Sequence, residues 1–312
     1  MASPTAATTD CRVGEALLRS HSQQARGKRG LRGCHDVKVF VINLDRAPER
    51  LAHMQAEFGR LGVPFERLPA VDGAALPATE IARWTATPMA NGACLTPGEI
   101  GCILSHRKCW QAAAAANEPV AVFEDDVFLS DDAAAFLGAD DWLPADADIV
   151  KLETFLRPTL VDKAAVVAGA RALTRLRSMH IGAGGYVVTL RGLEILCSAE
   201  SDALLPLDHL LFDPVSPVFE RLVIYQMEPA VCVQQHVAQS RRGRRADVAS
   251  RSSASFFGSA LKNERTDRRP HKSPAERIWR EIQRPFVRLG DAFTHALATA
   301  TTPRRWTTVA FR

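Results

Sequence analysis

The chain has 312 residues, 46% of them hydrophobic and 24% charged, with a formal net charge of +4. This is the composition of a soluble globular protein with room for one large domain or two smaller ones. No run approaches the ~18 apolar residues of a membrane span, and the first residues lack an apolar signal core, so neither crossing nor export is predicted.

The charge is unevenly placed. Residues 1–35 hold 6 Lys/Arg against 2 Asp/Glu, residues 241–312 hold 17 against 6, and residues 36–240 hold 16 against 27. An acidic body with basic ends predicts a cation-using core and anion-seeking tails. The seven cysteines are Cys11, Cys34, Cys94, Cys102, Cys109, Cys197 and Cys232. An odd number without a Cys-x-x-Cys argues against a disulfide framework or a structural zinc site, and favours a reducing, cytoplasmic setting.

Residues 1–35, rich in Ala, Thr, Ser, Gly and Arg, read as a disordered basic tail. Order begins near Val37. Val39, Phe40, Val41 and Ile42 form a buried-strand run ending in Asn43-Leu44-Asp45-Arg46. A helix follows from Pro48, with Leu51, Met54, Phe58 and Leu61 on one face and Gly62 as its stop. Phe65 to Leu68 is a short strand. This strand–helix–strand opening is that of an α/β domain.

Residues 74–95 carry no readable pattern. Thr96-Pro97-Gly98-Glu99 is a capping box with proline at the first helical position. The helix it opens runs to Asn117 and sets Ile103, His106 and Trp110 on one face. A histidine among apolar neighbours is, on that evidence alone, a structural one.

The stretch around which the chain is organised is Pro119 to Asp132. Val120, Ala121, Val122 and Phe123 form an apolar run that stops at Glu124, Asp125 and Asp126. Three adjacent carboxylates repel one another and resist burial. They suit the C-terminal end of a strand, where a parallel sheet opens its ligand crevice. Mg²⁺ or Mn²⁺ there would cancel the repulsion and bridge to substrate phosphates. A solvated acidic loop is the alternative.

Further strands are expected at Asp148–Leu152, Val223–Gln226 and Ala230–Gln234, with weaker candidates at 166–170 and 173–176. Gly182-Ala183-Gly184-Gly185 is a flexible turn leading to a helix at about 190–199. It fits neither the dinucleotide fingerprint nor the phosphate loop. Asp208, in Pro206-Leu207-Asp208-His209, resembles a helix N-cap. Residues 241–272 read as a basic linker. Ser273-Pro274-Ala275-Glu276 is a second capping box. Its helix has Ile278, Ile282, Phe286, Leu289, Phe293 and Leu297 on one stripe beside Arg277, Arg280, Arg284 and Arg288. That pattern fits a membrane surface, or a helix docked on the body.

Three ordered motifs carry a resemblance. They are Val39 to Arg46 with Arg50, Leu95 to Cys102 with Ser105-His106 and Trp110, and Phe123-Glu124-Asp125-Asp126. Together they resemble glycosyltransferase family 25, which includes lipooligosaccharide β-galactosyltransferases. The likeness covers about residues 37–240 and neither tail. It implies a GT-A-like fold, a Rossmann-like mixed sheet flanked by helices, within a catalytic domain at 36–240. A C-terminal basic amphipathic helix and tail at 273–312 lie outside it. It also implies an inverting transfer of a sugar, galactose from UDP-galactose, to a lipooligosaccharide or LPS saccharide. Mn²⁺ or Mg²⁺ would be held by Asp126, Glu124 and the loosely matched His236. Asn43, Arg46, Arg50, Ser105, His106, Glu124, Asp125, Gly184 and Gly185 would line the donor. Asp208 would be the base that deprotonates the acceptor. The expected partners are a UDP-sugar, a saccharide or lipid-linked saccharide, and an anionic membrane surface, with nucleic acid not among them. The competing readings are a metal-dependent nucleotidyl- or phosphotransferase, and a non-catalytic adaptor that kept the fold.

Overall fold

The two apolar runs lie side by side in the sheet, next to one of its edges. A computed structural model describes residues 36–89, 92–199, 205–240 and 299–312 of the chain. Strand β1 (Lys38–Asn43) pairs in parallel with β3 (Val120–Glu124) on one side and with β2 (Glu66–Pro69) on the other. Both runs are apolar on both faces because both faces are covered. Val39 and Val41 pack with Met54 and Phe58 of helix α1 (Pro48–Leu61). Phe40 and Ile42 pack with Ile100, Ile103 and Trp110 of helix α3 (Pro97–Ala116).

The helix boundaries follow local chemistry. Helix α1 has proline in its first turn and stops at Gly62, whose φ of 66° is left-handed and costs glycine little. Helix α3 opens with the full capping box. Thr96 N donates to Glu99 Oε2 at 2.8 Å and Glu99 N to Thr96 Oγ1 at 3.2 Å. Between them, the stretch without a readable pattern contains helix α2 (Ala78–Thr85), which buries only Trp84.

Among the described residues, nine strands form one mixed sheet in the order β11-β6-β7-β9-β5-β8-β3-β1-β2. Strand β8 (Gly185–Val188) runs antiparallel between β3 and β5 (Ile149–Lys151), and β9 (Ile224–Glu228) lies parallel to β5. The two weak candidates prove to be an antiparallel hairpin of β6 (Pro158–Ala168) and β7 (Arg171–Leu176), turned at Gly169 with φ 58°. Helix α4 (Leu190–Ser198) is capped by Thr189, and α5 (Leu207–Phe212) and α6 (Pro217–Arg221) follow. A second, two-stranded sheet pairs β4 (Val127–Leu129) with β10 (Cys232–Gln234), before the single turn α7 (Gln235–Ala238).

The end of the chain corrects the sequence reading. Residues 304–308, expected in a tail beyond the body, form β11 (Arg304–Thr308) on the sheet edge, antiparallel to β6. The following residues are tied in as well. Thr154 Oγ1 donates to Val309 O at 2.7 Å, and Arg171 Nη2 to Arg312 O at 2.7 Å. The expected N-terminal tail at 1–35, the linker at 241–272 and the amphipathic helix at 273–298 lie outside the described residues. Among the described residues, no helix is long and apolar enough to cross a membrane.

Candidate active site

The parallel strands β1 and β3 end together, with Ile42 paired to Glu124. Their C-terminal ends, and the turn into β4, bring Asn43, Glu124, Asp125 and Asp126 to one place. The two-residue turn by which the chain leaves β3 for β4 of the second sheet carries Asp125 and Asp126, next to Glu124 at the end of β3. Asp125 is held most firmly. Asn43 Nδ2 donates to its Oδ2 at 2.8 Å and Arg50 Nη1 to its Oδ1 at 2.7 Å. Asn43 is itself fixed by Arg67 Nε, which donates to Asn43 Oδ1 at 3.0 Å. Asp125 is therefore a structural acceptor that orients the turn.

Glu124 and Asp126 are held differently. Arg50 Nη2 lies 3.8 Å from Asp126 Oδ2, while Asp126 Oδ1 is buried without a hydrogen-bond partner. Burial, and then the charge of Glu124, push the Asp126 carboxyl up to about 7. Glu124 is pushed up to about 7 by burial, by Asp125 and by Asp208, against the pull of Arg50 and Lys151. Two carboxyls that share a site cannot both ionise cheaply. A buried carboxylate oxygen with no donor adds to that cost.

Gly184 and Gly185 act by leaving room. A Cβ on Gly184 would lie 2.9 Å from Gln234 Nε2, and one on Gly185 would lie 2.6 Å from Cys232 Sγ. Their bareness lets β10 press against β8, and Gln234 Nε2 then donates to Glu124 Oε2 at 2.9 Å. His236, expected beside the metal, has its ring edge-on to Phe155 at 5.3 Å. From the same segment Gln235 N donates to Asp126 O at 2.7 Å.

Beneath the glycine loop lies a pair that the motifs do not mark. Lys151 and Glu153 have side chains with no exposure and a 3.3 Å separation between Lys151 Nζ and Glu153 Oε2. Lys151 also donates to Gly182 O, and Gly184 N donates to Glu153 Oε2 at 2.8 Å. Burial pushes Glu153 up to about 7 although Lys151 pulls it down, and burial lowers Lys151. The signal was present: two charged residues, two apart, inside a buried-strand run point to one face.

Asp208 meets the same loop from above. It is not the helix cap that its sequence context suggests, because Pro206 occupies that position and Asp208 lies in the first turn of α5. Its Oδ1 accepts from His209 N at 3.0 Å and its Oδ2 from Gly182 N at 3.4 Å. Its charge is felt by both Glu124 and Lys151.

The remaining expected donor residues have specific structural duties. Ser105 Oγ donates to Gly101 O at 2.6 Å and accepts from Val71 N at 2.8 Å, so it staples α3 to the 70–73 loop. Arg46 is paired with Asp72 on the surface. His106 is buried, with Nδ1 2.7 Å from Tyr186 Oη and Nε2 3.7 Å from Glu124 Oε1. Burial lowers its pKa to about 3.

The three sequence motifs thus fall on β1 and α1, on α3 and the cap before it, and on the end of β3. The family described as Glycosyltransferase family 25 (LPS biosynthesis protein) matches residues 36–211. The chain belongs to glycosyltransferase family 25. The matched span opens with β1 and reaches into α5, so it contains both the acidic turn and Asp208. The family 25 chain is 34% identical over 209 residues to the lipooligosaccharide biosynthesis protein lic2B of Haemophilus influenzae, covering 63% of this chain and 75% of that protein. It is 30% identical over 273 residues to the lacto-N-neotetraose biosynthesis glycosyltransferase LgtB of Neisseria gonorrhoeae, covering 80% and 91%. It is 33% identical over 249 residues to LgtE, of the same description, from Neisseria meningitidis serogroup B, covering 74% and 83%.

Proposed function

We propose that this glycosyltransferase moves a hexose, galactose from UDP-galactose, onto a saccharide of a lipooligosaccharide or LPS-type glycan, with inversion at the sugar carbon. The observation that supports this reading is the meeting of the acidic turn, with its orphaned Asp126 oxygen, and Asp208 across the glycine loop. The lipooligosaccharide and lacto-N-neotetraose descriptions of the relatives supply the acceptor class. In this reading the strands around β1 and β3 are the donor half of a GT-A arrangement.

The donor set fits a hard divalent cation, Mn²⁺ or Mg²⁺. Asp126 and Glu124 are carboxylate oxygens whose mutual repulsion such an ion would relieve. When bound, the ion supplies Lewis acidity toward the departing diphosphate. Arg50 and Asn43 keep Asp125 turned inward, so that the two flanking carboxylates face the donor. The reaction is a single displacement. Asp208 accepts the proton of the acceptor hydroxyl, whose oxygen forms the new bond to the anomeric carbon. The bond from that carbon to the phosphate oxygen breaks, and the nucleoside diphosphate leaves with its electron pair. Attack from the far side gives inversion.

The deciding experiment incubates the chain with a panel of nucleotide sugars, a lactosyl or glucosyl acceptor and Mn²⁺, and measures released nucleoside diphosphate. Turnover with UDP-galactose and formation of a β-linked product are expected. Turnover of nucleoside triphosphates in place of nucleotide sugars would overturn the reading.

A further inference from the structure

Cys102 and His106 stand four residues apart on α3, which puts both on the same helix face. That face meets the end of β3. Cys102 Sγ lies 3.9 Å from Glu124 Oε1, and His106 Nε2 lies 3.7 Å from the same oxygen. Among the described residues, this is the one set of three Cys, His or carboxylate side chains with ligand atoms all within 4.8 Å of one another. Glu124 is also a member of the hard-cation pair proposed above, whose other member, Asp126, is not part of this set.

His106 supplies the second observation. Its ring is 1% exposed, and Nε2 has no hydrogen-bond partner. At 3.7 Å the gap to Glu124 is too long for a hydrogen bond and matches two ligands facing one ion, with bonds of about 2.0–2.1 Å to nitrogen and oxygen. The other ring nitrogen is anchored. Nδ1 sits 2.7 Å from Tyr186 Oη, which also receives Trp110 Nε1–H at 3.0 Å. A histidine ligand whose second nitrogen is fixed by an oxygen partner is oriented for a metal.

We infer that Cys102, His106 and Glu124 form a site for a soft divalent cation of the Zn²⁺ class, behind the acidic turn. With its proton on Nδ1, toward Tyr186, His106 presents the Nε2 lone pair to the ion. Cys102 releases its thiol proton to solvent on binding and ligates as the thiolate. Glu124 contributes Oε1 while Oε2 stays with Gln234. A sulfur and an imidazole select Zn²⁺ or Co²⁺ over Mg²⁺ and Mn²⁺. Three protein ligands leave a fourth position open, the form that reactive zinc sites take.

The test uses the full chain with Co²⁺ alone and Zn²⁺ alone as probes, with no sugar present. One equivalent of Co²⁺ should give a thiolate-to-metal charge-transfer band in the near ultraviolet, displaced by one equivalent of Zn²⁺. Cys102→Ser should abolish the band, and His106→Gln should weaken Zn²⁺ binding at least tenfold, with circular dichroism unchanged. Asp126→Asn should leave both intact, which separates this site from the hard-cation pair and from the transferase reading. A missing band, a band that survives Cys102→Ser, or a ¹⁵N spectrum with the His106 proton on Nε2 after Zn²⁺ addition would each overturn the assignment.

Discussion

Asn43 and Asp125 are 82 positions apart in sequence and 2.8 Å apart in the fold. One ends β1 and the other begins the turn after β3, so the bond closes the two parallel strands at the rim where the candidate site lies. Asn43 is 1% exposed and its amide is fully used, with Ala47 O at 3.0 Å on the donor side and Arg67 on the acceptor side. Asn43→Asp changes little volume but sets a second carboxylate against Asp125. Transfer should fall at least tenfold in kcat/KM while the far-ultraviolet dichroism is retained. Wild-type kcat/KM in that variant would show that the bond does not shape the site.

The carboxyls of Glu124 and Asp126 lie near 7 in the folded chain and near 4 when unfolded. The folded state therefore holds more protons than the unfolded one between about pH 4 and pH 7. Stability contributed by these groups is present below that window and falls as pH rises through it. Asp126→Asn removes the ionisation, so its melting temperature should exceed the parent's by more at pH 8 than at pH 5. Mn²⁺ should raise the parent's melting temperature at pH 8 and the variant's by much less. An equal gap at the two pH values would refute the repulsion argument. Transfer should be lost in the same variant.

Asp208 separates base from binder. Asp208→Asn should lower kcat roughly a hundredfold or more and leave the donor KM within a few-fold, if the carboxylate takes the acceptor proton. A loss confined to KM would instead make Asp208 a clasp for Gly182 N.

The parts of the fold that sequence revealed are those whose cause is local. β1 and β3 show as unbroken apolar runs because both faces are covered. The capping box of Thr96 and Glu99 shows because its two bonds span three residues. The parts it concealed depend on distant partners. Helix α2 has too narrow a buried face to leave a period. β11 pairs with β6 across some 140 to 150 positions and buries none of its five residues, so nothing near it announces a strand. In the site, the carboxylates were legible as a run that burial should forbid. The bond from Gln234 to Glu124 was not, because it depends on two glycines some 50 positions away.

Gly101 tests that last kind of dependence in the fold itself. A Cβ there would lie 2.6 Å from Val71 O and 2.8 Å from Gly73 N, so α3 rests directly on the backbone of the 71–73 loop. Backbone cannot swing aside as a side chain can. Gly101→Ala should cost about 1–3 kcal/mol, as overpacking typically does. It should appear as a lower midpoint in urea with an unchanged slope. An unchanged midpoint would mean that the loop gives way freely.

The basic amphipathic helix expected at 273–298 calls for a test that respects the end of the chain. Deleting everything after residue 240 would strip β11 from the sheet and the 309–312 tie from Thr154 and Arg171, so loss of vesicle binding would then have two causes. Replacing Arg277, Arg280, Arg284 and Arg288 by Gln leaves the body whole. Each basic residue near an anionic surface contributes about 1 kcal/mol, so removing four should weaken binding to phosphatidylglycerol vesicles about a hundredfold or more. Transfer to a soluble acceptor should stay at the parent rate. Raised salt should weaken the parent's binding only in part, because screening reduces the charge attraction and not the burial of the apolar stripe. A parent chain that ignores anionic vesicles would place the stripe against the protein rather than the membrane.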